Sequence, residues 1–177
     1  LGVGRRTLAL RFAQALNCTN PPQPGQPCRA CRDCTQTGLM QHPDLSILQV
    51  EEDSTMLKIE QVRELQRILS LTPYQGRRRV ALLLRFEEAN ANAQNALLKT
   101  LEEAPQKVVL LLTADAPENL LPTIVSRCEV LRLRPLPLEQ LSAALQKNWQ
   151  IAPDEARRLA HLAGGRPGAA LRMLANP

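Results

Sequence analysis

Aromatic side chains are scarce in this sequence: two Phe, one Tyr and one Trp in 177 residues. A platform that stacks the bases of single-stranded nucleic acid needs several, which argues against that class. Histidine is as rare. His42 and His161 stand far apart, at no metal-ligand spacing, and both read as structural. No Ser/His/Asp or Cys/His arrangement stands out. No run of 18 apolar residues occurs, so no transmembrane helix is expected. Leu1 to Leu10 shows no apolar segment ahead of a cleavage site, so no secretory signal is expected either. Lysine is confined to Lys58, Lys99, Lys107 and Lys147, and arginine supplies the rest of the 22 basic residues that face 17 acidic ones. The net charge of +5 permits contact with a polyanion without requiring it.

The remaining composition is that of a globular protein, with 44% hydrophobic and 22% charged residues. The length allows one or two domains and a core that buries roughly 70% of the unfolded surface. Leu1-Gly2-Val3-Gly4 reads as the end of a loop, and we expect chain upstream of it. Thr7 to Leu16 has helical spacing, with Leu8, Phe12, Ala15 and Leu16 on one face. Asn20 to Cys34 is too rich in Pro, Gln and Cys to continue that helix. A turn at His42-Pro43 leads to a strand over Leu45 to Val50. An amphipathic helix follows over Lys58 to Leu69, with Ile59, Val62, Leu65, Ile68 and Leu69 inward. Val80 to Leu84 and Val108 to Thr113 are apolar throughout, the mark of buried parallel strands. Between them Ala91 to Glu103 is helical and is stopped by Pro105. Asn119 to Ser126 predicts a short helix and Val130 to Leu133 a further strand. The alternation of helix and strand predicts an α/β open sheet. After Pro135-Leu136-Pro137 the character changes: Leu138 to Trp149, Pro153 to Ala163 and Gly168 to Leu174 are helical with no strand between them.

Four of the five cysteines crowd into one stretch. Cys18, Cys28, Cys31 and Cys34 are separated by nine, two and two residues. Two-residue spacing turns neighbouring thiolates onto one ion, and four thiolates close a tetrahedral, structural Zn²⁺ site. Arg29 and Arg32 are cations beside these thiols and favour the thiolate form. Free thiols or a redox pair are the alternatives. Gly2-Val3-Gly4-Arg5-Arg6-Thr7, entering a helix, has the outline of a phosphate loop. Arg5 stands where a lysine should bridge the phosphates, Arg6 where a hydroxyl should hold Mg²⁺, and Thr7 comes one place late. A plain glycine turn before a helix explains the same residues. Glu87 and Glu88 fall slightly late for the Mg²⁺-holding acids of a nucleotide hydrolase and also fit a solvated loop. Arg77-Arg78-Arg79 is either a solvated loop or a phosphate-contacting patch. Arg127, within Ser126-Arg127-Cys128 between a helix and a strand, is either an ordinary surface residue or one placed to reach a neighbour's phosphate.

In order along the chain come the degenerate phosphate loop, the four-cysteine insert, Gln41-His42-Pro43-Asp44-Leu45 and Ile59-Glu60-Gln61-Val62-Arg63. Next come Asn95-Ala96-Leu97-Leu98-Lys99-Thr100-Leu101-Glu102-Glu103-Ala104-Pro105 and Leu121-Pro122-Thr123-Ile124-Val125-Ser126-Arg127-Cys128. This series resembles the AAA+ subunits of the bacterial DNA polymerase III clamp loader over essentially the whole chain. The resemblance implies an AAA+ P-loop-type parallel-sheet core over 1–134 carrying a zinc insert at 18–34. A small all-α lid over 135–177 follows, with a collar domain beyond it. For the ATP-hydrolysing gamma/tau type it implies an intact lysine-hydroxyl pair, two acids where Leu84 and Arg85 stand, and a lid arginine where Gly168 stands. All three are missing, and Gly165-Arg166-Pro167-Gly168 is similar to the delta-prime type. The resemblance therefore implies a cytoplasmic subunit that does not hydrolyse ATP itself, with binding at residues 2–7 in doubt. Arg127 would be its trans arginine finger, Ser126 would shape the helix end, Cys128 would be a core thiol, and Cys18, Cys28, Cys31 and Cys34 would hold zinc. Its implied partners are the gamma/tau and delta subunits and, through the assembly, the sliding clamp and primed DNA, with no membrane. An ATP-hydrolysing gamma/tau subunit and a stand-alone zinc-ribbon nucleic-acid binder are the alternatives.

Overall fold

The computed structural model describes residues 2–50, 54 and 56–175; Leu1 of the opening loop and Pro177 of the helical domain lie outside them. The chain divides into two compact units, one formed by Arg6–Val130 and one by Leu131–Pro177 together with Leu1–Arg5. No helix among the described residues is long and apolar enough to cross a membrane.

The larger unit is built on three parallel strands, β1 (Leu45–Leu48), β2 (Arg79–Leu83) and β3 (Val108–Leu112), in the order β1-β2-β3. Leu45 lies opposite Val80 and Leu48 opposite Leu83, while Arg79 pairs with Val108 and Leu83 with Leu112. The central strand is buried along its whole length, which is why it reads as an unbroken apolar run. Helices α3 (Ile59–Leu69) and α4 (Ala91–Glu102) cover one face. They bury Val62, Leu65, Leu69, Ala93 and Leu97 in a core with Ala81, Leu83, Phe86 and Ile124. Two local signals open these helices. The Gln61 side chain accepts the Lys58 backbone N–H at 2.9 Å, and Asn90 Oδ1 accepts the Ala93 N–H at 2.8 Å.

Helix α1 (Arg5–Asn17) departs from expectation. It buries Ala9 and Ala13 and leaves Leu8 and Phe12 nearly half exposed, at 44% and 46%. Small residues let a helix axis come close to its neighbours, and Ala9 packs directly on Leu82 and Leu84. Leu10 packs against the same cluster, whereas Leu8 and Phe12 are turned away from it. The expected strand over Val130 to Leu133 does not form either: the segment has no regular structure, with Val130 and Leu131 exposed. The sheet among the described residues consists of β1, β2 and β3, and this segment is not one of its strands.

The smaller unit holds α6 (Leu138–Trp149), α7 (Pro153–Leu162) and α8 (Pro167–Ala175) around Leu141, Leu145, Ala156, Leu159, Ala160 and Ala170. Pro153 and Pro167 sit at helix starts, where the missing N–H is no loss. Gly164 and Gly165, both at positive φ, close α7: Gly164 N–H bonds to His161 O and Gly165 N–H to Ala160 O.

Candidate metal centre and arginine site

The cysteine-rich insert leaves α1 at Cys18, turns through Gly25 and returns into α2 (Arg32–Gly38). Cys31 is the residue before α2 and Cys34 lies in its first turn, so the helix itself sets these two thiols on one side. A positive φ of 61° at Arg29 makes the tight turn between Cys28 and Cys31. The four sulfur atoms come within 4.8 Å of one another, with Cys28 Sγ 3.9 Å from Cys34 Sγ. Tetrahedral thiolates about 2.3 Å from one ion are about 3.8 Å apart, so this cluster is the right size to hold a metal ion.

Hydrogen bonds within the cluster favour the thiolate form at two of the four cysteines. Backbone N–H groups donate to sulfur, from Cys28 to Cys18 Sγ at 3.3 Å and from Cys31 to Cys28 Sγ at 3.2 Å. Such donors stabilise the charged form. The Cys28 thiol is accordingly held below its ordinary value, chiefly by the Cys31 N–H. Cys31 is brought to about 6, because hydrogen bonds from Thr19 and Cys34 outweigh partial burial. Burial pushes Cys34 up, against a backbone N–H from Arg29. Backbone amides at Cys28, and Thr19 with the Cys34 amide at Cys31, favour the thiolates of these two residues. Cys128 stands apart, packed at the edge of the main core with its thiol raised by burial.

Residues flanking the cysteines tie the insert to the sheet. His42 is buried; its Nδ1 accepts the Asp44 N–H at 3.0 Å and its Nε2 lies 3.1 Å from Asp33 Oδ1. An Nδ1 that accepts a backbone N–H leaves the proton on Nε2, which donates to Asp33. Asp44 is fully buried and accepts the N–H groups of Tyr74, Gln75 and Gly76, each at 2.7 Å. Its carboxyl is held low: burial acts the other way, but these three donors and Arg79 prevail. Arg79 Nη2 lies 3.2 Å from Asp44 and donates to Thr72 O at 2.9 Å. The arginine run thus splits. Arg77 and Arg78 are exposed, while Arg79 is a buried counter-ion and cannot contact a phosphate.

At the C-terminal ends of the strands, Leu84 is buried against Ala9 and Leu82. Arg85 has left-handed backbone geometry, at φ 52° and ψ 52°, and its side chain pairs with Glu88. Its N–H donates to Thr113 Oγ1 at 3.0 Å. Glu87 accepts the Asp115 N–H at 3.2 Å. Glu88 is thus engaged within its own turn, and Glu87 across to the segment after β3. In the smaller unit, Gly2 and Gly4 have φ of 93° and 94°, which favours glycine. The Gly2 carbonyl accepts the Gly168 N–H at 2.8 Å, and a Cβ on Gly2 would lie 2.8 Å from Ala169 N. Val3 follows Gly2, Arg5 begins α1, and Arg6 and Thr7 are exposed in its first turn; Arg6 Nη2 lies 2.9 Å from Met40 Sδ.

Arg127 projects from the end of α5 (Pro122–Val125), a single turn started by Pro122 and followed by Ser126. Its Nε donates to Glu102 Oε1 at 2.7 Å, and its Nη1 to Thr123 O at 3.0 Å and Ser126 Oγ at 3.3 Å. Ser126 Oγ also donates to Thr123 O at 3.2 Å, closing the turn. The Arg127 side chain as a whole is 36% exposed. Sequence reasoning singled out Ser126 and Arg127 and passed over Glu102, although Glu102 lies within the Asn95–Pro105 segment.

The chain matches the family described as DNA polymerase III, delta subunit, over residues 1–137. It belongs to that family. Among relatives, it is 40% identical to the DNA polymerase III subunit delta' of Pseudomonas aeruginosa, over 97% of this chain and 52% of that protein. It is 32% identical to the delta' subunit of Bacillus subtilis, over 91% of this chain and 47% of that protein. The tau/gamma subunit of Haemophilus influenzae is 35% identical, over 93% of this chain and 24% of that protein. The chain therefore spans about half the length of its delta-prime relatives. Among solved structures it resembles the RuvB Holliday junction branch migration motor of Thermotoga maritima, with a TM-score of 0.60 at 15% identity over 97% of this chain and 49% of that one. It also resembles a gamma subunit-related protein of Thermotoga maritima, with a TM-score of 0.51 at 21% identity over 91% of this chain and 60% of that one. At such identities the likeness shows the fold, the AAA+ type of parallel α/β core expected from the sequence.

Proposed function

We propose that the protein is a delta-prime-type clamp-loader subunit that hydrolyses no ATP itself and supplies Arg127 in trans to the ATP site of an adjacent gamma/tau subunit. The observation that carries this reading is the contrast between two sites. Arg127 is exposed and held by four hydrogen-bonding contacts, with Ser126 beside it. The positions of a hydrolytic centre carry Arg5 and Arg6, a buried Leu84 and an Arg85 paired with Glu88. The Gly2 carbonyl engaged by Gly168 supports a loop of residues 2–7 that does not receive phosphates. Cys18, Cys28, Cys31 and Cys34 hold one zinc ion as a structural clamp. Residues 1–134 act as the AAA+ core and 135–177 as its lid. In the cytoplasm the protein works with gamma/tau and delta to place the sliding clamp on primed DNA, with contact to the DNA backbone.

The likeness to tau/gamma keeps an ATP-hydrolysing subunit as the second reading. One experiment separates them. The full-length protein alone should show no Mg²⁺-dependent ATP turnover, and Arg127→Ala should lower the ATPase of the assembled loader without changing incorporation. Turnover by the isolated protein favours the gamma/tau reading, and an unchanged assembled ATPase removes the finger.

A further inference from the structure

Arg127 has a long, solvent-exposed side chain, which in isolation samples many rotamers. Three nitrogens of its guanidinium are nevertheless engaged. Nε and Nη2 both meet Glu102 Oε1, at 2.7 and 2.5 Å, and Nη1 meets Thr123 O and Ser126 Oγ. Two of these contacts come from the turn that carries the arginine. Glu102 is the one that comes from elsewhere, from the last turn of α4, 25 residues away in sequence. The two α5-side contacts fix where the guanidinium sits along its own turn, and Glu102 fixes its rotation about that turn. Glu102 is itself 49% exposed, so the pair adds little to the stability of the fold. Its effect is on the direction of a cation.

We propose that Glu102 is the positioning residue of the Arg127 finger: it holds the guanidinium in one orientation, ready for the neighbouring phosphate, and touches neither nucleotide nor neighbour itself. This rests on the finger reading of Arg127. Nε and one Nη2 hydrogen bond to Glu102, and among the described residues the second Nη2 hydrogen has no acceptor. That free donor can meet a phosphate oxygen without the ion pair being broken. A misplacement of about 1 Å at a reacting centre lowers rates by up to about a hundredfold, which sets the scale of the effect.

Two measurements test this. In the loader assembled with the full-length protein, Glu102→Ala should lower kcat for ATP about tenfold, or by the whole Arg127→Ala effect where that is smaller. KM should stay unchanged. Glu102→Gln, which keeps the acceptor oxygen, should restore most of the rate, and Glu102→Ala combined with Arg127→Ala should be no slower than Arg127→Ala alone. A Glu102→Ala rate equal to wild type, a faster rate, or a loss that adds to that of Arg127→Ala overturns the proposal. In the full-length protein alone, the Arg127 Nε–H resonance should be resolved by NMR and should merge with the free arginines in Glu102→Ala. A resonance already averaged in the wild type overturns the positioning role even where Arg127→Ala shows the finger to be real. An Arg127→Ala loader of normal ATPase removes the finger and the positioning residue together.

Discussion

Asp44 shows how much one side chain can decide. It lies one residue before β1, wholly buried, and its two oxygens serve three backbone N–H groups of residues 74–76 and the Arg79 guanidinium. The loop that leads into β2 is thereby anchored to the start of β1. Asn could accept with only one oxygen, would turn an N–H₂ group toward backbone donors, and would leave Arg79 a buried, uncompensated cation. Asp44→Asn should therefore lower the unfolding free energy by about 3 kcal/mol, read as a drop in the urea midpoint. The same site sets an acid limit. The Asp44 carboxyl lies below its ordinary range in the native state, so its contribution is fully present above the unfolded value of about 3.9. It is lost as pH falls through the lower native value. In the wild type the midpoint should fall on acidification below about pH 4, and in Asp44→Asn this part of the fall should be missing. An acid branch of equal steepness in both proteins would count against this assignment.

At the scale of elements, what the sequence made legible depended on how local the cause was. The apolar runs of β2 and β3 and the Pro105 stop after α4 carry their reasons within a few residues, and these elements lie within a residue or two of expectation. Three features have distant causes. Val130 to Leu133 alternates like a strand but is not one of the three strands of the described sheet. Leu8 and Phe12 have helical spacing, but the close packing of Ala9 decides which face turns inward. Helix α2 is seven residues long, too short to form on propensity alone, and its sequence gave no helical signal. It is held by what surrounds it: Cys31 and Cys34 in the sulfur cluster, Asp33 on His42, and Cys34 O accepting from Gln14 Nε2 at 2.6 Å. The Cys spacing picked out all four thiols that come together, whereas the Asp33–His42 link could not be seen without the fold. If bound metal supplies much of the folding energy of the insert, a strong chelator should release close to one zinc per chain. Amide exchange in 18–38 should then rise steeply, while β2 amides stay protected. Protection of α2 that survives metal removal would show that the hydrogen bonds alone suffice.

At the scale of the molecule, the division into two units gives each its own core and its own weak point. The sulfur cluster belongs to the larger unit. The smaller unit includes residues from the start of the chain, so Gly2 is joined to α8 although 166 positions separate it from its partner Gly168. That junction tolerates no side chain. Gly2 has a φ of 93°, and an added Cβ would lie 2.8 Å from Ala169 N, a backbone atom that cannot swing aside. Gly2→Ala must strain the backbone and displace the start of α8, at a cost on the order of 1–3 kcal/mol. Because the affected core is that of Leu141, Leu145 and Ala170, the loss should appear as earlier melting of the helical unit alone. Calorimetry of wild type, Gly2→Ala, the metal-free protein and the metal-free variant would read this directly. Gly2→Ala should move one transition, metal removal the other, and the two shifts should add, as expected for sites that share no partners. A single transition that both changes lower together would mean that the two units unfold as one cooperative body, with the clamp on Gly2 and the sulfur cluster supporting the same structure.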